Sequence, residues 1–384
     1  MGRSRGWLDR MILPVGGTLS LLARWEALGR PFAHLSRRGA ALVLAVLMAA
    51  MAWSAWANAP DEQAVPARVA TTTATPATTD RPRGDMALYA RINARMAAGA
   101  GYYAAALNEQ RESHYPTRPF VAVRLPTLAW LQALIGADGV RYLAMAVVLA
   151  CLWALNTRLA TLASLEERII ASALLVAGGA AALSPVAGFD HDFVAGLLLS
   201  LALLLYRADR WWPALLAAGA ALAVRELAAP FVLLWLGFAI AGRRWREAGA
   251  LAVLLAFFAA GMGLHALAVG AERLPGDLGS QGWGALSGYG LPLTGLGQLT
   301  GLRFLPASLA APIAILPLLG WAAIGGRIGL FALLWFGGLA TMLALFARPE
   351  NFYWVELALP AYAIGLAFVP RGLAELGRAV ARQT

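Results

Sequence analysis

The residues of this chain best suited to chemistry are a few acids, arginines and tyrosines that interrupt long apolar runs. Asp190-His191-Asp192 is one interruption. Two carboxylates spaced this way could hold a divalent cation, Mg or Mn, through oxygen ligands. They could equally be turn residues, or cap the helix that follows. Arg225-Glu226 sits between the apolar stretches 221–224 and 227–231. A charged pair in such a setting is costly and points to function, the plain alternative being a hairpin tip bonded to water. Arg348, Glu350 and Tyr353 mark a third interruption, and Asp85, just after Gly84, opens a helical pattern that it could simply cap. His114 reads as a loop histidine and His265, alone in an apolar run, as a packing residue. No zinc-type Cys/His spacing, Walker loop or serine-hydrolase elbow is present. The Gly-rich stretch 284–290 lacks the strand–helix context of a nucleotide fingerprint.

The elements that must position these groups are membrane helices. Of 384 residues, 60% are hydrophobic and only 14% charged. A soluble domain carries roughly 25% charged residues, so this chain cannot coat a globule with polar surface and its excess apolar surface must face lipid. The net charge is +10, all of it from arginine, since there is no lysine. The arginines cluster in short segments between apolar runs, which is the topogenic pattern of membrane proteins rather than a nucleic-acid footprint. The arginine-only, Ala/Gly-rich composition points to a high-GC bacterial genome and hence to a bacterial cell inner membrane. The single cysteine, Cys151, lies in an apolar run and reads as a packing residue.

A span needs about 20 apolar residues. The first candidate covers 39–58, with seven arginines before it. It reads as an uncleaved anchor rather than a signal peptide, because its apolar stretch exceeds the roughly 7–15 residues of a signal core. Residues 1–38 are then a basic cytoplasmic terminus. The segment 59–140 is expected to form a long first outer loop: an Ala/Thr/Pro-rich linker over 60–82, then surface helices over 86–98 and 118–135. Further spans are expected at 141–157, 169–187, 193–206, 211–224, 227–241, 248–269, 305–324, 328–346 and 353–369, about ten in all. Residues 270–303 form a Gly-rich outer loop and 372–384 a cytoplasmic tail. This threading puts Arg158, Arg168, Arg207, Arg210, Arg243, Arg244, Arg246, Arg327 and Arg371 inside, as the positive-inside rule requires. It depends on 211–241 being a hairpin: one long helix there would reverse everything downstream. The acids and their neighbours then fall together on the outer face.

The first outer segment runs Gly84-Asp85-Met86-Ala87-Leu88-Tyr89, then Gly101-Tyr102-Tyr103, then Tyr115-Pro116-Thr117-Arg118-Pro119-Phe120, then Arg124-Leu125-Pro126. This resembles the first periplasmic loop of the GT-C glycosyltransferases, which use polyprenyl-phosphate sugars, and is similar in style to bacterial mannosyltransferase-like members. There an Asp near the start of the loop is followed by Tyr, a Gly-Tyr element and a Tyr-Pro element. The resemblance covers about 45 residues in motif and 39–371 in layout. It implies an all-α membrane domain with Asp85 as general base. Asp190 and Asp192 stand where some members hold a metal and others need none. Arg124, Arg225 or Arg348 would bind the lipid phosphate, with Tyr89, Tyr102, Tyr103, Glu226 and Tyr353 around the substrate. The implied partners are a polyprenyl-phosphate sugar donor, a lipid, glycan or protein acceptor, and membrane lipid. A transporter or flippase of lipid-linked sugar is the competing reading; it predicts ionisable groups or broken helices near the bilayer midplane and repeat symmetry between halves.

Overall fold

A computed structural model describes residues 21–58 and 84–382. The basic segment 1–20 and the linker 60–82 expected from the sequence lie outside them. The described residues are helical throughout, without strands. A short helix α1 (Leu21–Leu28) precedes α2 (Arg37–Ala57), which Ser36 caps through its hydroxyl. The first loop contributes α3 (Asp85–Ala97) and α4 (Tyr102–Glu112). Then come α5 (Thr127–Leu159), α6 (Leu165–Gly179), α7 (His191–Leu205), α8 (Trp212–Val224), α9 (Ala229–Ala241) and α10 (Trp245–Ala271). The last part holds α11 (Gly290–Leu299), α12 (Ala307–Ile324), α13 (Gly326–Phe346), a 3-10 stretch Pro349–Ala358, the short α14 (Ala361–Ile364) and α15 (Val369–Ala381).

Five of these helices, α2, α5, α10, α12 and α13, are long and apolar enough to cross a membrane, and the bent pair Pro349–Ala358 and Ala361–Ala381 makes a sixth if it is one span. On α2 and α10 the exposed side chains Leu42, Val46, Met48, Phe257, Leu264 and Leu267 offer an apolar surface to lipid. The other expected crossings are shorter. At about 1.5 Å per residue, α7, α8 and α9 reach only about 20–23 Å, against a hydrocarbon core of about 30 Å. They lie in the interior, where α7 packs along α8 and α5.

Four local expectations change. Helix does not begin at residue 118: Pro119 and Pro126 disfavour helical geometry in the residue before each, and α5 starts at Thr127. The surface helix and the span expected at 141–157 are one continuous element, broken only at Gly136, whose φ of +78° is readily open to glycine. The stretch after Gly101 is the helix α4, built from Ala, Leu, Glu and Gln, all good helix formers. The Gly-rich segment 270–303 also contains a helix, α11, which buries Leu291, Leu293 and Leu296.

The chain doubles back between α8 and α9. Arg225 is extended (φ −146°, ψ 119°) and ends α8, and α9 begins at Ala229 after a short 3-10 turn. Arg225 meets the start of α7 through Asp192 at 2.7 Å, whereas Arg244, beyond α9, meets the residue after α7 through the Tyr206 hydroxyl at 2.9 Å. The body therefore has two chemically distinct ends. The Tyr206 end carries Arg327 on the same hydroxyl (3.1 Å), Arg244 against Glu247 (2.7 Å) and Arg371 against Glu167 (2.8 Å).

Close backbone approach positions the other end. A Cβ at Gly196, on α7, would lie 2.0 Å from the Glu356 carbonyl oxygen and 2.8 Å from that of Leu359. The Pro349–Ala358 stretch therefore lies directly on α7, carrying Tyr353 and Glu356 with it. Gly196→Ala is expected to push the two apart at a cost of about 1–3 kcal/mol. Thermal melting of the purified protein checks this, and an unchanged midpoint would contradict the contact.

Candidate active site

At the end opposite Tyr206, one cavity of about 180 Å³ is built by four segments. The first turns of α3 supply Asp85, Met86 and Tyr89; the segment before α5 supplies Arg124; the head of α7 supplies Asp190, His191 and Asp192; the 3-10 stretch supplies Tyr353 and Glu356.

Asp85 is not the N-cap of α3. Gly84 holds that position with φ +103°, and Asp85 is the first helical residue. A carboxylate there is favoured by the helix dipole. Its Oδ1 accepts a hydrogen bond from the Tyr115 hydroxyl at 2.8 Å. Burial, together with the Asp85 charge, pushes the Tyr115 phenol well above its ordinary value, so it stays a donor.

Arg124 is the cation of the cavity. Its Nε donates to the Tyr89 hydroxyl at 3.0 Å, and its guanidinium reaches the Tyr353 hydroxyl at 3.4 Å and the Asp192 carboxylate at 3.8 Å. The Gly-Tyr element holds this segment from behind. Tyr102 donates to the Arg124 carbonyl at 2.6 Å, and the Tyr103 hydroxyl meets Nδ1 of His265 at 3.2 Å. His265 Nε2 lies 3.1 Å from the Val123 carbonyl; since a carbonyl only accepts, Nε2 carries the proton and Nδ1 accepts from Tyr103. Tyr102 and Tyr103 thus act on the backbone of 123–124 and do not line the cavity, and His265 is a satisfied packing residue.

Arg225 has a different place from the one expected for a phosphate ligand. It is only 1% exposed and lies behind the cavity wall, its Nε on Asp192 Oδ1 and its other arm on Glu226 Oε1, both at 2.7 Å, with its guanidinium 5.9 Å from the Trp354 ring. A guanidinium so engaged neutralises two carboxylates, and it does not line the cavity. Glu226 is likewise a partner of Arg225. Arg348 pairs with the exposed Glu350 at 2.6 Å and does not line the cavity.

Asp190 is the N-cap of α7, its Oδ1 accepting from the Phe193 N–H at 3.0 Å. Its carboxyl also shares a hydrogen bond with Glu356, and burial pushes it above its ordinary value. Asp190 and Asp192 line the same cavity, but Asp190 is engaged as the cap of α7 and Asp192 is paired with Arg225. Among the described residues no three His, Cys, Asp or Glu side chains gather in a way that could hold a metal ion. The divalent-cation reading of Asp190 and Asp192 therefore does not fit: the position facing Asp192 already holds a guanidinium.

The sequence reading missed Glu356 and Asp277, and it named Tyr115 only as part of the Tyr-Pro element. Glu356 was legible as a lone acid inside the apolar run 353–369, by the same logic that singled out Arg225 and Glu226. Asp277 is what straps the segment between α10 and α11 to the first loop. Arg111 meets it at 2.7 Å, the Arg118 guanidinium binds its carbonyl, and the Thr117 N–H donates to the Leu278 carbonyl at 3.0 Å. Past the strap, Trp283 packs edge-on against Trp354 at 5.6 Å, beside Arg225. The chain matches no family model, no curated protein and no solved structure among those it was compared with.

The Arg111 guanidinium beside Asp277 holds its carboxyl well below the usual carboxylate range. A depressed value in the folded state means the strap is intact above the ordinary carboxylate pKa of about 3.9 and weakens as pH falls through and below it. At neutral pH, Asp277→Asn is expected to speed amide hydrogen exchange over 274–282 by about tenfold, the equivalent of one charge-assisted hydrogen bond. Unchanged exchange would contradict the role of the ion pair.

Proposed function

We propose that this chain is a GT-C-type membrane glycosyltransferase that moves a sugar from a polyprenyl-phosphate donor to an acceptor hydroxyl, with Asp85 as general base. The observation that carries this reading is the one cavity in which Asp85, from the first loop, shares walls with Arg124, the Asp190–Asp192 turn and Tyr353. In the proposed reaction the acceptor oxygen bonds to the anomeric carbon and its proton passes to Asp85. The bond from that carbon to the phosphate oxygen breaks, and the lipid phosphate leaves. A carboxylate held at Oδ1 by Tyr115 keeps Oδ2 for the proton. Arg124 faces the developing phosphate charge, with Tyr353 beside it. No step requires a resident metal.

In this reading the five long helices, the short α6 to α9 and the bent terminal pair make about ten crossings of a bacterial inner membrane. Both termini are cytoplasmic, and the cavity opens to the periplasm. The arginines of the Tyr206 end then obey the positive-inside rule. Asp85→Asn is expected to lower turnover of a panel of polyprenyl-phosphate sugars by at least about 100-fold in membranes with matched expression. Full activity in that variant would remove Asp85 from the role.

A further inference from the structure

The lining of the cavity is unbalanced. Four carboxyl groups, Asp85, Asp190, Asp192 and Glu356, face it, against one guanidinium, Arg124. Arg225 compensates Asp192 and Glu226 from behind. Asp190 and Glu356 both line the cavity and have no cation within ion-pair distance among the described residues.

His191 provides a second, independent observation. It is only 6% exposed, with its ring edge-on to Tyr89 at 4.7 Å in the cavity wall. Its Nδ1 lies 3.0 Å from the Phe189 carbonyl and must be the protonated nitrogen. In the neutral ring Nε2 is then a lone-pair acceptor, and among the described residues none donates to it. That nitrogen is open to the cavity, where a ligand can supply the donor it lacks. The wall thus asks for a donor-rich, positively charged group at one place and offers a guanidinium to an anion at another. A neutral sugar phosphate would bring only negative charge into this acidic cavity, whereas a zwitterionic one matches both parts.

We infer that the sugar handled here is an amino sugar, its ammonium group taken by the Asp190–Glu356 pair, a neighbouring hydroxyl by Nε2 of His191, and its phosphate by Arg124. This deepens the transferase reading and rests on it for the identity of the phosphate-bearing ligand.

The test is binding without turnover, so it is independent of whether Asp85 is the base. The purified full-length chain is titrated with glucosamine 1-phosphate, N-acetylglucosamine 1-phosphate and glucose 1-phosphate, which share a phosphate and differ in the ammonium. The amino sugar phosphate is expected to bind at least about tenfold tighter than the other two, the value of one charge-assisted contact. Glu356→Gln should abolish that preference, and Arg124→Gln should weaken all three alike. Equal binding of the three ligands to the native protein overturns the proposal, whatever the variants do. So does a preference that survives Glu356→Gln in protein of native melting temperature. Free glucosamine binding as tightly as its 1-phosphate would also overturn it, by assigning the ammonium to a separate acceptor.

Discussion

Charge buried between short apolar helices has to be paired, and the pairing of Arg225 with Asp192 organises everything around it. Breaking a buried pair by removing one partner costs about 3–5 kcal/mol, because the other charge is left without compensation. The break between α8 and α9 and the head of α7 are therefore fixed to one another. Asp192 then has a second oxygen available, and Arg124 approaches it from the first loop. Trp354, lying beside the Arg225 guanidinium, brings the 3-10 stretch and the Trp283 segment into the same layer. Four distant parts of the chain meet at one point because each contributes something that this charge network requires.

The packing that allows the meeting is a matter of backbone contact. Gly196 lets the Glu356 carbonyl lie against α7, and a Cβ at Gly320 would come 1.7 Å from the Gly365 oxygen. Small residues in these positions replace side-chain interdigitation with direct approach, as is common where helices pack within membranes. The result is an interior built on the short α7, α8 and α9, with the long, lipid-facing α2 and α10 outside it. The two ends then specialise. Arginines pair with Tyr206, Glu247 and Glu167 at one end, while carboxylates outnumber cations around a cavity at the other.

Much of this was legible in the residues. Apolar runs and arginine clusters are strong signals, and they identify a polytopic membrane chain, its long helices and the doubling back at Arg225. Ionisable residues inside apolar runs pointed to Asp190, Asp192 and Arg225, and the Tyr-rich first loop pointed to Asp85 and Arg124. What could not be read was which atom faces which. Arg124 and Arg225 look alike in sequence, yet one lines the cavity and the other is consumed by Asp192 and Glu226. Whether Asp85 caps its helix was also open, and Gly84 takes that position. α4 and α11 escaped notice because short helices on loops are stabilised by tertiary contacts rather than by a strong hydrophobic period. Glu356 stood in plain view, but its partner Asp190 lies far away in sequence.

The account stands on the coupling between Arg225 and Asp192, and a double-mutant cycle measures it directly. Thermodynamic stability is compared for the native protein, Arg225→Gln, Asp192→Asn and the double variant in one detergent. The account predicts that each single change costs about 3 kcal/mol or more. It predicts that the double variant is more stable than the sum of the two implies, with a coupling of at least about 1.5 kcal/mol. Single effects that add to within about 0.5 kcal/mol would contradict it, because the two groups would then not depend on one another.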